Sequence, residues 1–183
     1  MTIVALAGRR IDNPESKTPR FPTSKISLVS SRIKNQLEEI QATGLVCSAA
    51  CGSDLLALSE AAQLGIKRRI VLPFDGTKFR ATSVTDRPGD RATDWGTIFD
   101  RVVKELTSSG DVVTLSRDVT EDAYAAANTK ILSEAQDLAR QTGADLVAVR
   151  VWEGYSRGEG DLTEAFGEEA RGLGLPVIDV LTT

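Results

Sequence analysis

Histidine is absent from the 183-residue chain. That absence removes Ser-His-Asp and Cys-His catalysis, an imidazole proton shuttle and every His-ligated zinc or haem. Acid–base work would fall to carboxylates, lysine, tyrosine or cysteine. Cysteine is scarce too, with only Cys47 and Cys51. Their spacing is neither a CxxC redox pair nor part of a zinc-ribbon ligand set, and their apolar surroundings read as reduced, buried thiols of a cytoplasmic protein. No metal site and no cofactor is expected. No apolar run approaches the ~18 residues of a membrane span. The opening MTIVALAGRR places its charges after a short apolar run, unlike a secretory leader. Positive charge is not in excess either: 22 Lys and Arg stand against 26 Asp and Glu, a net charge of −4. That balance argues against nucleic acid or an anionic membrane as partner and leaves room only for a local basic patch.

What is present is an alternation of two periods. Continuous apolar runs at Ile3–Ala7, Leu45–Cys47, Ile70–Leu72, Val112–Leu115, Leu146–Val151 and Val177–Leu181 read as strands covered on both faces. Between them, Ile26, Val29, Ile33, Leu37 and Ile40 mark one helix. Trp95, Ile98, Phe99, Val102, Val103 and Leu106 mark a second, and Tyr124, Ile131, Ala135 and Leu138 a third. Leu55–Leu64 and Leu162–Leu173 complete the series, closed by Gly65 and Gly174 as caps. Strand and helix alternate from end to end, so the expected fold is α/β. It is a doubly wound, mostly parallel sheet with helices on both faces, forming one domain over residues 1–183.

Ligands of such sheets sit at the carboxyl ends of the strands. Three loops there are unusual. Residues 8–22 carry Gly8-Arg9-Arg10 and then Asn13, Pro14, Pro19 and Pro22, too proline-rich for regular structure. Residues 73–93 form a connection of roughly twenty residues with Phe74, Phe79, Lys78, Arg80, Arg87 and Arg91, longer than a βα unit requires. Residues 153–161, EGYSRGEGD, are glycine-rich and lead into a helix.

Within these loops three features suit an anion. In the strand–turn–helix segment LVCSAACGSDLLALSEAAQLGI, the small residues Ala49, Ala50 and Gly52 leave backbone N–H groups at the helix start open to a phosphate. The competing reading is a tight packed turn with Ser53 or Asp54 as cap. Asp54 also fits acceptance from a ribose hydroxyl. Gly154, Gly158 and Gly160 precede a second helix start at Asp161, as a binding loop or a surface turn. Neither GxxxxGK[ST] nor GxGxxG occurs, which counts against a P-loop nucleotidase and a standard dinucleotide fold. Arg9 and Arg10 follow the first strand, where a guanidinium can grip phosphate bidentately. Asn128 puts an amide on an otherwise apolar helical stripe, to be satisfied by backbone or by ligand.

Taken in order, AGRR, SAACGSDLLALSEAAQLGI, NTKIL and EGYSRGEGDLTEAF resemble the SLOG superfamily. Its Rossmann-like domains are related to the LOG phosphoribohydrolases, the DNA-processing protein DprA and ligand-sensing domains of ion channels and bacterial defence effectors. In LOG enzymes a GGG turn and a later PGGxGTxxE motif hold the phosphate and ribose of a nucleoside monophosphate. The resemblance places Ala49, Ala50 and Gly52 in the first motif, and Gly158, Gly160, Asp161, Leu162, Thr163 and Glu164 in the second. Asp161 then stands where the family has threonine, and Thr163 where it has its first glutamate; Glu164 keeps the second. The family's catalytic Arg-Lys pair has Asn128, Thr129 and Lys130 near its place. An Asn there is more like the non-catalytic sensor branches.

These departures count against N-glycosidic hydrolysis, which needs a carboxylate beside the ribosyl centre. The expected function is recognition of a nucleotide-derived small molecule, with Gly8, Arg9, Arg10, Ser53, Asp54, Asn128 and Thr163 joining the two turns. The alternative is a nucleotide N-glycoside hydrolase or deoxyribosyltransferase using Glu164, Asp161 or Asp54. A third reading is a protein-interaction module that binds no small molecule. The resemblance also implies a homodimer paired through helices.

Overall fold

The computed structural model describes residues 1–115 and 117–183. Its strands are β1 (Thr2–Gly8), β2 (Ala42–Cys47), β3 (Lys67–Leu72), β4 (Val112–Thr114), β5 (Asp145–Trp152) and β6 (Val177–Leu181). Its helices are α1 (Ile26–Glu39), α2 (Ser53–Gln63), α3 (Gly76–Ser83), α4 (Trp95–Ser109), α5 (Glu121–Thr142) and α6 (Leu162–Gly172). All six strands pair in parallel in the order β4-β3-β2-β1-β5-β6. The expected Rossmann-like α/β architecture is the observed one. Among the described residues no helix is long and apolar enough to cross a membrane.

The two faces of the sheet explain the two helix sets. Strand pleating sends Val4 and Leu6 of β1 to one side and Ile3, Ala5 and Ala7 to the other. The first side packs α1, α2 and α4 through Val29, Ile33, Leu55, Leu58, Phe99 and Val102. The second packs α5 and α6 through Ile131, Leu132, Ala135, Leu138, Phe166 and Ala170. Both sides of β1 are therefore dry, which is why its sequence is apolar without alternation.

The chain steps outward from β1 through β2 and β3 to β4, then crosses back through α5 to place β5 on the other side of β1. The order reverses between β1 and β5, and that switch point is where a crevice opens at the strand carboxyl ends. No helix or strand forms between residues 9 and 22 or between 153 and 161, as expected. The 73–93 connection departs from expectation, because Gly76–Ser83 of it is helical. Asp75 caps that helix, accepting from the Thr77 N–H at 3.0 Å and the Lys78 N–H at 3.2 Å. Phe79 is the one large apolar side chain it buries.

Candidate functional site

β1 ends at Gly8, whose missing Cβ is a packing requirement. A Cβ there would lie 2.5 Å from Ser53 Cβ and 2.7 Å from the Val151 carbonyl oxygen. Gly52 meets the same demand from the other side. It sits at φ 96°, and a Cβ on it would lie 2.9 Å from both the Arg9 carbonyl oxygen and the Ile11 nitrogen. The α2 turn is thus pressed onto residues 9–11. Ser53 clamps it there, both its N–H (3.1 Å) and its hydroxyl (2.8 Å) donating to the Arg9 carbonyl.

The turn's amides are largely consumed. The Cys51 N–H donates to the Ser83 carbonyl at 3.0 Å, fastening the end of α3 to the turn. The Ala50 N–H donates to Asp54 Oδ2 at 3.1 Å. Ala49 is fully buried. Asp54 is itself 7% exposed and lines the crevice, and its other oxygen has no hydrogen-bond partner among the described residues. Burial pushes its pKa up to about 7, the Ala50 N–H and the Arg10 charge offsetting only part of that effect.

Arg9 is spoken for by the protein. Its guanidinium donates to Glu153 through Nε (2.6 Å) and Nη2 (3.1 Å), and to Asp161 through Nη1 and Nη2 (both 2.7 Å). Glu153 accepts in addition from Arg20 at 2.7 Å. Arg9, Glu153 and Asp161 are all buried. The network therefore ties β1, the end of β5 and the start of α6 together at the switch point. Burial works against the Arg9 charge, but Asp161 and Glu153 outweigh it and raise its pKa.

Asp161 does two jobs. It is the N-cap of α6, accepting from the Thr163 N–H at 3.0 Å and the Glu164 N–H at 3.2 Å, and it also takes the Arg157 N–H at 2.7 Å. Burial would raise its pKa, yet the Arg9 hydrogen bonds and charge and the Arg157 and Glu164 amides hold it well below the usual carboxylate range. Gly158 and Gly160, at φ 95° and 79°, have open space where a Cβ would stand. They shape the loop that brings Arg157 back to Asp161. Glu164 bonds the Ser156 hydroxyl and lines neither crevice cavity.

Two adjoining cavities fill the crevice. The inner one, about 110 Å³, is mainly apolar, walled by Leu6, Phe79, Tyr124 and Ile131, with Arg10, Ser48, Asp54, Asn128 and Thr163 as its polar residues. Asn128 donates to the Leu162 carbonyl at 3.0 Å, leaving its own oxygen without a hydrogen-bond partner among the described residues. Tyr124 shares a hydrogen bond with the buried Ser83 at 2.9 Å and meets Phe74 edge-on. The outer cavity, about 310 Å³, is lined by Arg9, Arg10, Arg20, Arg87 and Arg157. Gly8, Arg10, Leu162 and Thr163 line both.

Arg10 leans away from the Arg9 network to an ion pair with Asp86, which also lies 3.5 Å from Arg87. The 84–93 segment thereby reaches the crevice. Cys47 and Cys51 are free and buried. Burial works against the thiolate form and raises both thiols' pKa, in Cys51 despite the nearby Arg10.

The candidate residues thus divide. Gly8, Arg10, Ala50, Asp54, Asn128 and Thr163 line the inner cavity; Arg9 lines the outer one with its donors engaged. Ala49, Gly52 and Ser53 build the turn behind it, and Gly158, Gly160 and Asp161 the loop beside it. Sequence reasoning passed over Glu153, Arg20 and Asp86. Glu153 directly follows β5 on its carboxyl end, the position that signals a crevice residue in this fold.

No protein-family model matches the chain, and no curated protein matches it. Among solved structures, the X-ray structure of DNA processing protein A (DprA) from Streptococcus pneumoniae is similar. Identity is 17% and the TM-score 0.40, over 96% of this chain and 57% of that one. The chain thus spans little more than half the length of this neighbour.

Proposed function

We propose that the crevice between β1, β2 and β5 binds a nucleotide-derived small molecule and recognises it without turning it over. One observation carries the reading: an apolar cavity and an arginine-lined cavity adjoin, sharing Gly8, Arg10, Leu162 and Thr163. A nucleotide has the same two halves, a planar, weakly polar base with its sugar and a strongly anionic phosphate. Ligand sites commonly combine an apolar lining with a few placed polar groups. Phe79 and Tyr124 supply the aromatic wall, Asp54 and the Asn128 oxygen the polar anchors, and Arg10 the bridge between the halves. Hydrolysis by Glu164 is disfavoured because Glu164 pairs with Ser156 and lines neither cavity.

The test is a thermal-shift panel of AMP, cyclic nucleotides, ADP-ribose, NAD and deoxynucleosides, with chromatography of each hit for released base. A ligand at ~100 Kd contributes ~2.7 kcal/mol. Stabilisation with intact ligand is the expected result. Released base would transfer the function to N-glycoside cleavage, with Asp54 as the carboxyl facing the cavity. No stabilisation by any member would overturn the reading in favour of an interaction module.

A further inference from the structure

The usual anion seats of this architecture are already filled by the protein. Asp161 places its carboxylate at the start of α6, taking the N–H groups of Arg157, Thr163 and Glu164 at 2.7–3.2 Å. A phosphate there would have to displace a buried carboxylate that is also bonded to Arg9. At the α2 turn the Ala50, Cys51 and Ser53 amides are bonded to Asp54, Ser83 and Arg9. Most of the helix-terminal amides, which commonly hold anions, are therefore engaged within the protein.

The outer cavity offers guanidinium groups instead, in two clusters. Arg10 and Arg87 share the single carboxylate of Asp86, and the Nε atoms of both arginines are buried without a hydrogen-bond partner. Arg9, Arg20 and Arg157 share the two carboxylates of Glu153 and Asp161, Arg157 lying 3.8 Å from Asp161. Asp12, the one acidic residue that lines this cavity, is turned to the backbone N–H groups of Arg20 and Phe21. Within its ion pairs each cluster thus holds one guanidinium more than it has carboxylates, and Asp12 adds one further negative charge to the same cavity. The five arginines of the two clusters line one cavity, about 310 Å³ in volume. Two separated surpluses of positive charge match two anionic groups on one ligand.

We infer that the ligand carries at least two phosphate groups, as an organic pyrophosphate or a bisphosphate. They are held by Arg10 and Arg87 on one side and Arg20 and Arg157 on the other. This inference rests on the proposed binding of a nucleotide-derived molecule and deepens it. The arginine side chains replace the helix termini as the anion-recognising part of the site.

The probes are inorganic pyrophosphate and orthophosphate, titrated calorimetrically into wild type, Arg87→Ala, Arg157→Ala and Arg91→Ala. Arg91 is exposed in the same connection as Arg87 and lines neither cavity. Pyrophosphate is expected to bind about tenfold or more tightly than orthophosphate, the worth of one added charge-assisted contact. Arg87→Ala and Arg157→Ala should each erase that preference, and Arg91→Ala should keep it. Equal affinity for the two anions, or an equal loss in Arg91→Ala, overturns the inference. Binding of nucleosides or monophosphates that pyrophosphate does not weaken overturns it too, while leaving the proposed function standing. Pyrophosphate binding as expected, with no response to any nucleotide, supports the arginine site and removes the nucleotide reading instead.

Discussion

The Asp54 carboxyl should make the fold less stable as pH rises, against the usual behaviour of a carboxylate. It opens α2, is 7% exposed and has one backbone N–H as its hydrogen-bond donor. Burial raises its pKa from 3.8 to about 7. Between those values the folded chain holds a proton that the unfolded chain has released. The stability Asp54 provides by remaining neutral is then fully present below about pH 4, and is lost as pH climbs through about 7. A difference of about three pK units, at ~1.4 kcal/mol each, amounts to ~4 kcal/mol. For a chain of this length that is a shift of ~8–16 °C in Tm. Asp54→Asn keeps an oxygen for the Ala50 N–H and cannot ionise. In equilibrium urea unfolding, the variant should lie within ~1 kcal/mol of wild type near pH 4. It should exceed wild type by up to ~4 kcal/mol near pH 8. Parallel stability–pH curves for the two proteins would refute the reasoning, because they would mean that Asp54 ionises alike in both states.

Arg9→Ala should cost ~3–5 kcal/mol in urea unfolding, since it leaves the buried Glu153 and Asp161 short of their counter-ion; a loss under ~1 kcal/mol would show that the network is not a clamp. Gly8→Ala should lower stability by ~1–3 kcal/mol, because the new Cβ would stand 2.5 Å from Ser53 Cβ and 2.7 Å from the Val151 oxygen; an unchanged Tm would contradict that packing. The Asp161 pKa is depressed, so its contribution is present above the ordinary carboxylate pKa and fades as pH falls through its folded value. Asp161→Asn should accordingly be less stable than wild type at neutral pH, with the gap narrowing on acidification; a gap constant with pH would deny the carboxylate its role.

The strands were legible as short, mainly apolar runs, broken by Arg150 in β5 and Asp179 in β6, and their alternation with helical periods pointed to the layered α/β architecture; the edge strands β4 and β6 are less covered than such runs imply. α3 was not legible: it is eight residues long and buries Phe79 as its only large apolar side chain, so it shows no helical stripe. Its capping Asp75 was the available signal. For the site, position was readable and partnership was not. Arg9 was recognised as an arginine at a strand's carboxyl end, yet its partners Glu153 and Asp161 lie 144 and 152 residues away in sequence. No local pattern tells a guanidinium that faces ligand from one that faces a distant carboxylate. The same holds for Gly52, whose smallness reads equally as an approach path for phosphate or as the close contact of two turns; a Cβ there would lie 2.9 Å from the Arg9 oxygen and the Ile11 nitrogen.

These pairings change what a ligand has to do. If helix-terminal amides were the anion seat, an empty site would leave unsatisfied donors at the switch point, and binding would complete the structure. Asp161 satisfies those donors from within, and with Glu153 it locks Arg9 between β1 and β5. The inner crevice is therefore assembled before any ligand arrives, and binding there should require little ordering. The outer rim differs. Arg157 is about half exposed and Arg87 belongs to the long 84–93 segment, held to the crevice through Asp86 and Arg10. An anion bound between Arg10 and Arg87 would compete with Asp86 for the same guanidiniums. Exchange of Asp86 for a ligand phosphate would then occur in the connection that joins α3 to α4.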